Sequence, residues 1–330
     1  MIARNNIIDS LKGFAILLMV FGHLIQFTSI SNLYLTNPIY IFIYSFHMPL
    51  FMVISGFFYN KSLKHGSLEK VLKNRIVTVL LPYFSWATIF LIIWFISVGH
   101  NLLFVQLLQK YFDVFLFVSK LWFLWVLFIC ILLMSLNIFI QKYIGVISII
   151  FVALFVYFLP ATPILSCTNI KYMFPFFIAG YYYKEYSCVF KEFIYYISYI
   201  SLLVYPIMLF YWQDENFSFV IHTENLFPII YKYITGFSGI LVIVLIFKKI
   251  HNYNDLNYLQ KAGRNSIAIY IISDYFVEVI SHFKSFFNYN FVFNSFIFLF
   301  LTLLITKICL VSEKLLKKSK FLSFILFGKR

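Results

Sequence analysis

The sequence predicts an all-α, polytopic membrane protein of about ten transmembrane helices with both termini in the cytoplasm. Three observations carry that reading. The first is composition: of 330 residues, 62% are hydrophobic and only 12% are charged, with a mean hydropathy of +0.90, whereas a soluble domain carries about 25% charged residues. The second is pattern. Apolar residues come in continuous runs and do not alternate, which fits helices and not a β-barrel. The third is where the charge falls. A net charge of +14 would suit a nucleic-acid partner, but the basic residues sit in short loops between apolar runs, where the positive-inside rule places them. Nucleic acid is therefore excluded as a partner, and the lipid bilayer is the expected one.

Taken in order, the runs fall at approximately 11–30, 38–59, 76–98, 115–140, 145–160, 173–186, 193–212, 229–247, 266–283 and 291–311. The fifth and sixth are short for a hydrocarbon core of about 30 Å, so they are expected to be tilted, broken or re-entrant. The first run lacks a small-x-small cleavage site and is read as retained. With the N-terminus inside, the inner segments and the tail hold twenty-one of the 26 Lys and Arg. Lys110, Lys120, Lys171, Lys232 and Lys284 fall outside. The outer loop 213–228 carries Asp214, Glu215 and Glu224 and no base. Residues 1–311 form the expected membrane domain. Residues 312–330 read as a basic amphipathic cytoplasmic tail lying on the anionic inner leaflet. No soluble domain and no internal repeat is visible, so any chemistry must use the bundle and its short loops. Cys130, Cys167, Cys188 and Cys309 form no CxxC pair, which argues against a disulfide framework or a cysteine metal site.

The run DSLKGFAILLMVFGH, Asp9 to His23, organises the chain. As a helix at about 100° per residue, it sets Lys12 and His23 on one face, with Asp9 close to the same stripe. Lys12 and His23 are then about 16 Å apart along the axis, so His23 reaches roughly mid-depth in a bilayer. An ionisable group there is costly and by default marks function. The alternative is an imidazole that only hydrogen-bonds a neighbouring helix. The second run contains FHMPLFMVISGFF, residues 46–58. It travels inward, so His47 is expected at a depth similar to that of His23. Pro49 and the Ser55-Gly56 pair permit a loosened turn or close packing. No third ligand stands at a recognisable spacing, so no metal is expected.

These two segments resemble the integral-membrane acyltransferase family 3, the bacterial membrane O-acyltransferases of cell-surface glycans. Asp9, Lys12, Gly13 and His23 match its signature of an acid, a base and a glycine followed by a histidine about ten residues on. The family more often has Arg where this chain has Lys12, which keeps the charge but loses the planar fork. NRIVTVLLPYFSW (74–86), LWFLWVLF (121–128), FPFFIAGYYY (174–183) and GRNSIAIYII (263–272) resemble its later segments in the expected order. Where members often carry a histidine after the late Tyr, this chain has Ser273 and Asp274, so no role for such a histidine is carried over.

The resemblance implies an enzyme of the bacterial inner (cytoplasmic) membrane. It would move an acyl group, in the first place acetyl from acetyl-CoA, to a hydroxyl of a cell-surface polysaccharide such as lipopolysaccharide, capsule or exopolysaccharide, or of its lipid-linked precursor. Such chemistry needs a base that titrates near neutral pH, and positive charge or donors for the oxyanion and the donor phosphates. His23 is the expected base, or a transient carrier of the acetyl group, and His47 its assistant or the group that orients the acceptor. Asp9, Lys12 and Arg75 are expected at the donor. Asp9 either pairs with Lys12 or caps the helix, and Arg75 with Lys73 also fits ordinary positive-inside topology. Asp274 and Glu278, four apart on one face of the ninth run, either bind acceptor hydroxyls, pair with a base of another helix, or lie at the outer interface. Trp122 and Trp125 either stack on sugar rings or belong to the interfacial belt. His222 and His282 lie near the outer face, within reach of an acceptor, and His65, His100 and His251 fall in loops. The competing class is a glycan flippase or transporter, which has no use for acetyl-CoA; a larger donor such as succinyl-CoA is a variant of the same enzyme.

Overall fold

The computed structural model describes residues 6–29, 33–98, 104–116, 120–211, 226–250, 256–287 and 291–329. His100, His222, His251 and residues 213–225 of the acidic loop lie outside them. Among the described residues the secondary structure is entirely helical: α1 (Asn6–Thr28), α2 (Pro38–Leu63), α3 (Leu68–Arg75), α4 (Leu81–Val98), α5 (Phe104–Leu116), α6 (Trp122–Ile144), α7 (Ser148–Phe158), α8 (Cys167–Glu185), α9 (Ser187–Phe210), α10 (Leu226–Ile250), α11 (Asn257–Arg264), α12 (Ser266–Ser281), α13 (Phe291–Leu316) and α14 (Lys320–Phe327). Short 3-10 turns join several of them.

Seven helical stretches are long and apolar enough to cross a bilayer: Asn6–Thr28, Pro38–Leu63, Leu68–Ser97, Trp122–Phe158, Ser187–Phe210, Phe227–Ile250 and Asn294–Leu316. The chain is thus a multi-pass helical membrane protein. Of the remaining runs that the sequence marks as spans, that at 145–160 falls on α7, inside the Trp122–Phe158 stretch, and the other two fall on α8 and α12, outside the seven. At 11 residues, α7 is about 16 Å long. It begins just after Gly145, whose φ of 67° ends α6, and it stops at Leu159, held extended before Pro160. With 16 residues, α12 reaches about 24 Å. The 19 residues of α8 include Asn169, Lys171, Lys184 and Glu185, and these polar groups dilute its apolar character.

The chain divides into two compact units. One holds the chain through Ile54, then α9 to α13; the other runs from Ser55 to Glu185 and includes the segment from Lys317 onward. In the first, α1 is central. It packs on α10, α11, α12 and α13, burying Leu11, Ala15, Ile16, Met19, Val20 and Leu24. Phe14 meets Phe247, and Phe21 meets Phe298 edge-on. A helix buried on this much of its circumference is apolar nearly all round.

In the second unit, α3 passes into α4 through a π-helical turn at Ile76–Leu80, where the Leu81 N–H bonds the Ile76 carbonyl five residues back. Pro82 follows at once. A proline ring in a helix collides with the carbonyl four residues earlier, and the wider turn accommodates it. The end of the basic tail packs against protein: Leu326 and Phe327 of α14 are buried, and Trp86 Nε1 of α4 donates to the Leu326 carbonyl at 3.0 Å. Trp86→Phe keeps the ring and loses that bond. It should cost about 1 kcal/mol, seen as a small fall in the apparent Tm, with truncation after Leu316 producing a larger one.

Candidate functional site

The uninterrupted α1 fixes the order of its polar groups, with Asp9 and Lys12 in its first turns and His23 in its last. Around Asp9 the structure builds a compact charged cluster. Lys12 Nζ lies 3.6 Å from Asp9 Oδ1, and Arg264 Nε donates to Asp9 Oδ2 at 3.3 Å. Arg264 Nη2 also donates to Gln260 Oε1 at 3.2 Å, one turn back on α11. Asp9 is thus ion-paired with both Lys12 and Arg264. The helices come this close because both carry glycine at the crossing. A Cβ on Gly13 would stand 1.9 Å from the Leu259 carbonyl oxygen, and one on Gly263 would stand 1.9 Å from the Asp9 carbonyl oxygen. Small residues admit such backbone-to-backbone approach.

Toward the other end of α1, His23 and His47 lie near enough for their charges to interact. Their environments differ. His47 is buried, and its Nδ1 sits 2.7 Å from the Ile43 carbonyl one turn earlier on α2. A carbonyl only accepts, so this nitrogen carries a proton, and in the neutral ring Nε2 is the acceptor. His23 Nδ1 is also buried but has no hydrogen-bond partner among the described residues. The ring rests edge-on against Phe27, with centroids 5.7 Å apart. An orphaned buried polar atom in a native fold calls for an explanation, and a catalytic role is one of the recognised ones.

Tyr44 ties the two helices together beside these rings. Its hydroxyl donates to Gln26 Oε1 at 2.7 Å, its ring stands 4.9 Å from that of His47, and Tyr40 stacks on it at 3.9 Å. Gly22 makes room for it, since a Cβ there would lie 2.8 Å from the Tyr44 ring. Asp274 of α12 is half-buried and close enough to act electrostatically on Tyr44. Its partner in the sequence reading, Glu278, is exposed; Ser281 and His282 both hydrogen-bond its backbone carbonyl.

Two expected site residues belong to the other unit. Arg75, at the end of α3 and next to the π-helical turn, donates to Ser62 Oγ at 3.2 Å. Trp122 is half-buried at the start of α6. Its neighbour Trp125 donates through Nε1 to the Leu165 carbonyl at 3.0 Å and lies against Tyr83, 5.6 Å between centroids. All four cysteines are free, with only Cys188 exposed. Among the described residues no three His, Cys, Asp or Glu side chains converge as metal ligands.

Sequence reasoning missed Tyr44, Gln26, Gln260 and Arg264. Arg264 was visible as a base in the GRNSIAIYII segment, but as one more inner-loop cation. Its pairing with Asp9 follows from a contact across 255 residues, and the local signs of that contact are Gly263, next to Arg264, and Gly13, one turn on from Asp9.

The comparisons with known proteins converge on one family. A family model described as an acyltransferase domain matches residues 5–311. Nodulation protein NolL of Mesorhizobium japonicum is 32% identical over 187 residues, covering 55% of this chain and 48% of that protein. NolL of Sinorhizobium fredii is 30% identical over 193 residues, covering 55% and 49%. The chain spans about half the length of the curated relatives it matches. No solved structure matches it. Because the family match takes in the helix of Asp9, Lys12 and His23, the helix of His47 and the late GRNSIAIYII segment alike, the chain belongs to the membrane acyltransferase 3 family.

Proposed function

We propose that this protein is an O-acyltransferase of the bacterial inner membrane, both termini cytoplasmic, that moves an acetyl group from acetyl-CoA to a hydroxyl of a cell-surface polysaccharide or its lipid-linked precursor. The observation that carries the reading is the pair of histidines. One has its tautomer set by a backbone carbonyl, and the other presents a buried nitrogen that no described residue satisfies.

In this reading His23 takes the proton of the acceptor hydroxyl as its oxygen attacks the thioester carbonyl. The tetrahedral intermediate collapses with cleavage of the carbon–sulfur bond, and the proton passes to the departing CoA thiolate. His47, with its Nδ1 held by Ile43, accepts through Nε2 and orients the acceptor. Lys12, set by Asp9, and Arg75 hold the donor by its phosphates. Asp274, Glu278 and Trp122 are assigned to the acceptor. The lysines of the 312–330 tail rest on the inner leaflet.

The test is incubation of the purified protein in nanodiscs with acetyl-CoA alone, followed by assay for free CoA and mass spectrometry of the protein. Slow CoA release is expected; an acetyl adduct in its place would make His23 a covalent carrier. Absence of both, together with absence of saturable acetyl-CoA binding, would overturn the enzyme in favour of a glycan transporter.

A further inference from the structure

We infer that α14 and the glycine that ends it form a clamp on the π-helical turn at Ile76–Leu80, and that Gly328 is a positioning residue which, through that turn, sets the direction of Arg75. That Arg75 holds the donor by its phosphates rests on the acyltransferase reading; its placement by the clamp does not. The family match ends at residue 311, so the clamp lies beyond it and the turn that it grips lies within it.

The clamp is anchored at Leu326, Phe327 and Gly328. Trp86 Nε1 donates to the Leu326 carbonyl at 3.0 Å, and the Trp86 ring lies 6.3 Å from that of Phe327, which is buried together with Leu326. Gly328 is left-handed, with a φ of 62°. It ends α14 by donating its N–H to the Phe324 carbonyl at 2.9 Å, while the Lys329 N–H donates to the Ser323 carbonyl at 3.2 Å. A Cβ at Gly328 would collide with the Val77 carbonyl oxygen and stand 2.6 Å from the Thr78 Cα. Val77 and Thr78 are interior to the π-helical turn, so the clamp meets the turn backbone to backbone.

The position of the turn matters because a π turn holds one residue more than an α turn. Pro82 calls for a wide turn ahead of it, but the side chains of the turn do little to hold it where it is. Thr78 Oγ1 is buried with no hydrogen-bond partner among the described residues, whereas Thr88, Thr302 and Thr306 each donate to the carbonyl four residues back. Carrying the extra residue of the turn past Arg75 would swing that side chain by about 100° and slide it by about 1.5 Å relative to α4. Its Nη2 would then leave Ser62 Oγ, to which it donates at 3.2 Å. Gly328, seated on Val77 two residues on from Arg75, blocks that movement, and only glycine combines the left-handed backbone with so close an approach.

The experiment follows labelling of Arg75 by the arginine reagent phenylglyoxal, read by peptide mass spectrometry, in the purified protein in phosphatidylcholine nanodiscs. Gly328→Ala should change the rate at Arg75 by about fivefold or more, and Trp86→Phe, which keeps the ring and loses one bond, by about twofold or more in the same direction. Arg264, which belongs to the other unit, should keep its wild-type rate in both variants. Should Gly328→Ala fail to fold, Trp86→Phe carries the test. A second arm measures binding of radiolabelled CoA. Gly328→Ala should weaken it by about fivefold or more, and on an Arg75→Gln background the same change should have no further effect, because it acts through Arg75. A wild type that fails to bind CoA refutes the donor reading and leaves the labelling arm to decide the clamp. Arg75 labelled at the wild-type rate in both variants overturns the inference. So does an equal change at Arg75 and Arg264, which is a general loosening of the fold, or an equal loss of CoA affinity with and without Arg75.

Discussion

Replacing His23 by alanine should lower acyl transfer by about a hundredfold or more, the usual contribution of a general base, while the helix bundle stays intact. The structural side of this expectation is that the imidazole makes little that the fold needs. Its Nδ1 has no hydrogen-bond partner among the described residues, and its ring contact with Phe27 is a single edge-on approach. Alanine is the best helix former, so α1 is not weakened by the change. His47→Ala removes a side chain that is buried and bonded to the backbone. It should therefore lower both activity and apparent Tm, and the contrast between the two variants separates chemistry from packing. The measurement is transfer of labelled acetyl to glycan in membranes, normalised to folded protein, with thermal unfolding run in parallel. His23→Ala protein that folds and acylates at the wild-type rate would remove His23 from the mechanism.

The sequence showed the helical class, the membrane setting and the helix bearing Asp9, Lys12 and His23, because those follow from local pattern. Continuous apolar runs and the spacing along one helix need no knowledge of the rest of the chain. The count of spans was less legible. The run at 145–160 is as apolar as its neighbours, yet it becomes an 11-residue helix, because Gly145 and Pro160 cut it at both ends. The charged cluster was half legible. Lys12 lies one turn from Asp9, and their pairing could be read from spacing, whereas Arg264 reaches Asp9 only through the crossing of α1 and α11. The same holds for Tyr44 and Gln26, which are on different helices. Arg75 shows the converse: the sequence reading expects it at the donor or as an ordinary inner-side base, and the bond observed is to Ser62, thirteen residues away.

Gly263→Ala should be strongly destabilising, and the sign of that effect is the informative part. On helix propensity alone, Ala in place of an internal Gly gains about 1 kcal/mol. The crossing reverses this. The added methyl would stand 1.9 Å from the Asp9 carbonyl oxygen and 2.8 Å from the Gly13 nitrogen. Both are backbone atoms of α1, so no rotamer change relieves the clash and the two helices must separate. Overpacking in a well-filled core costs about 1–3 kcal/mol and occasionally more, enough to overcome the gain in propensity. The displacement also pulls Arg264, the next residue, away from Asp9. Gly263→Ala should therefore show a lowered apparent Tm, although every charged side chain is still present. Gly13→Ala, whose methyl would meet the Leu259 carbonyl from the opposite helix, should behave the same way. A Gly263→Ala protein with a raised Tm would mean that α11 does not press against α1 at this point.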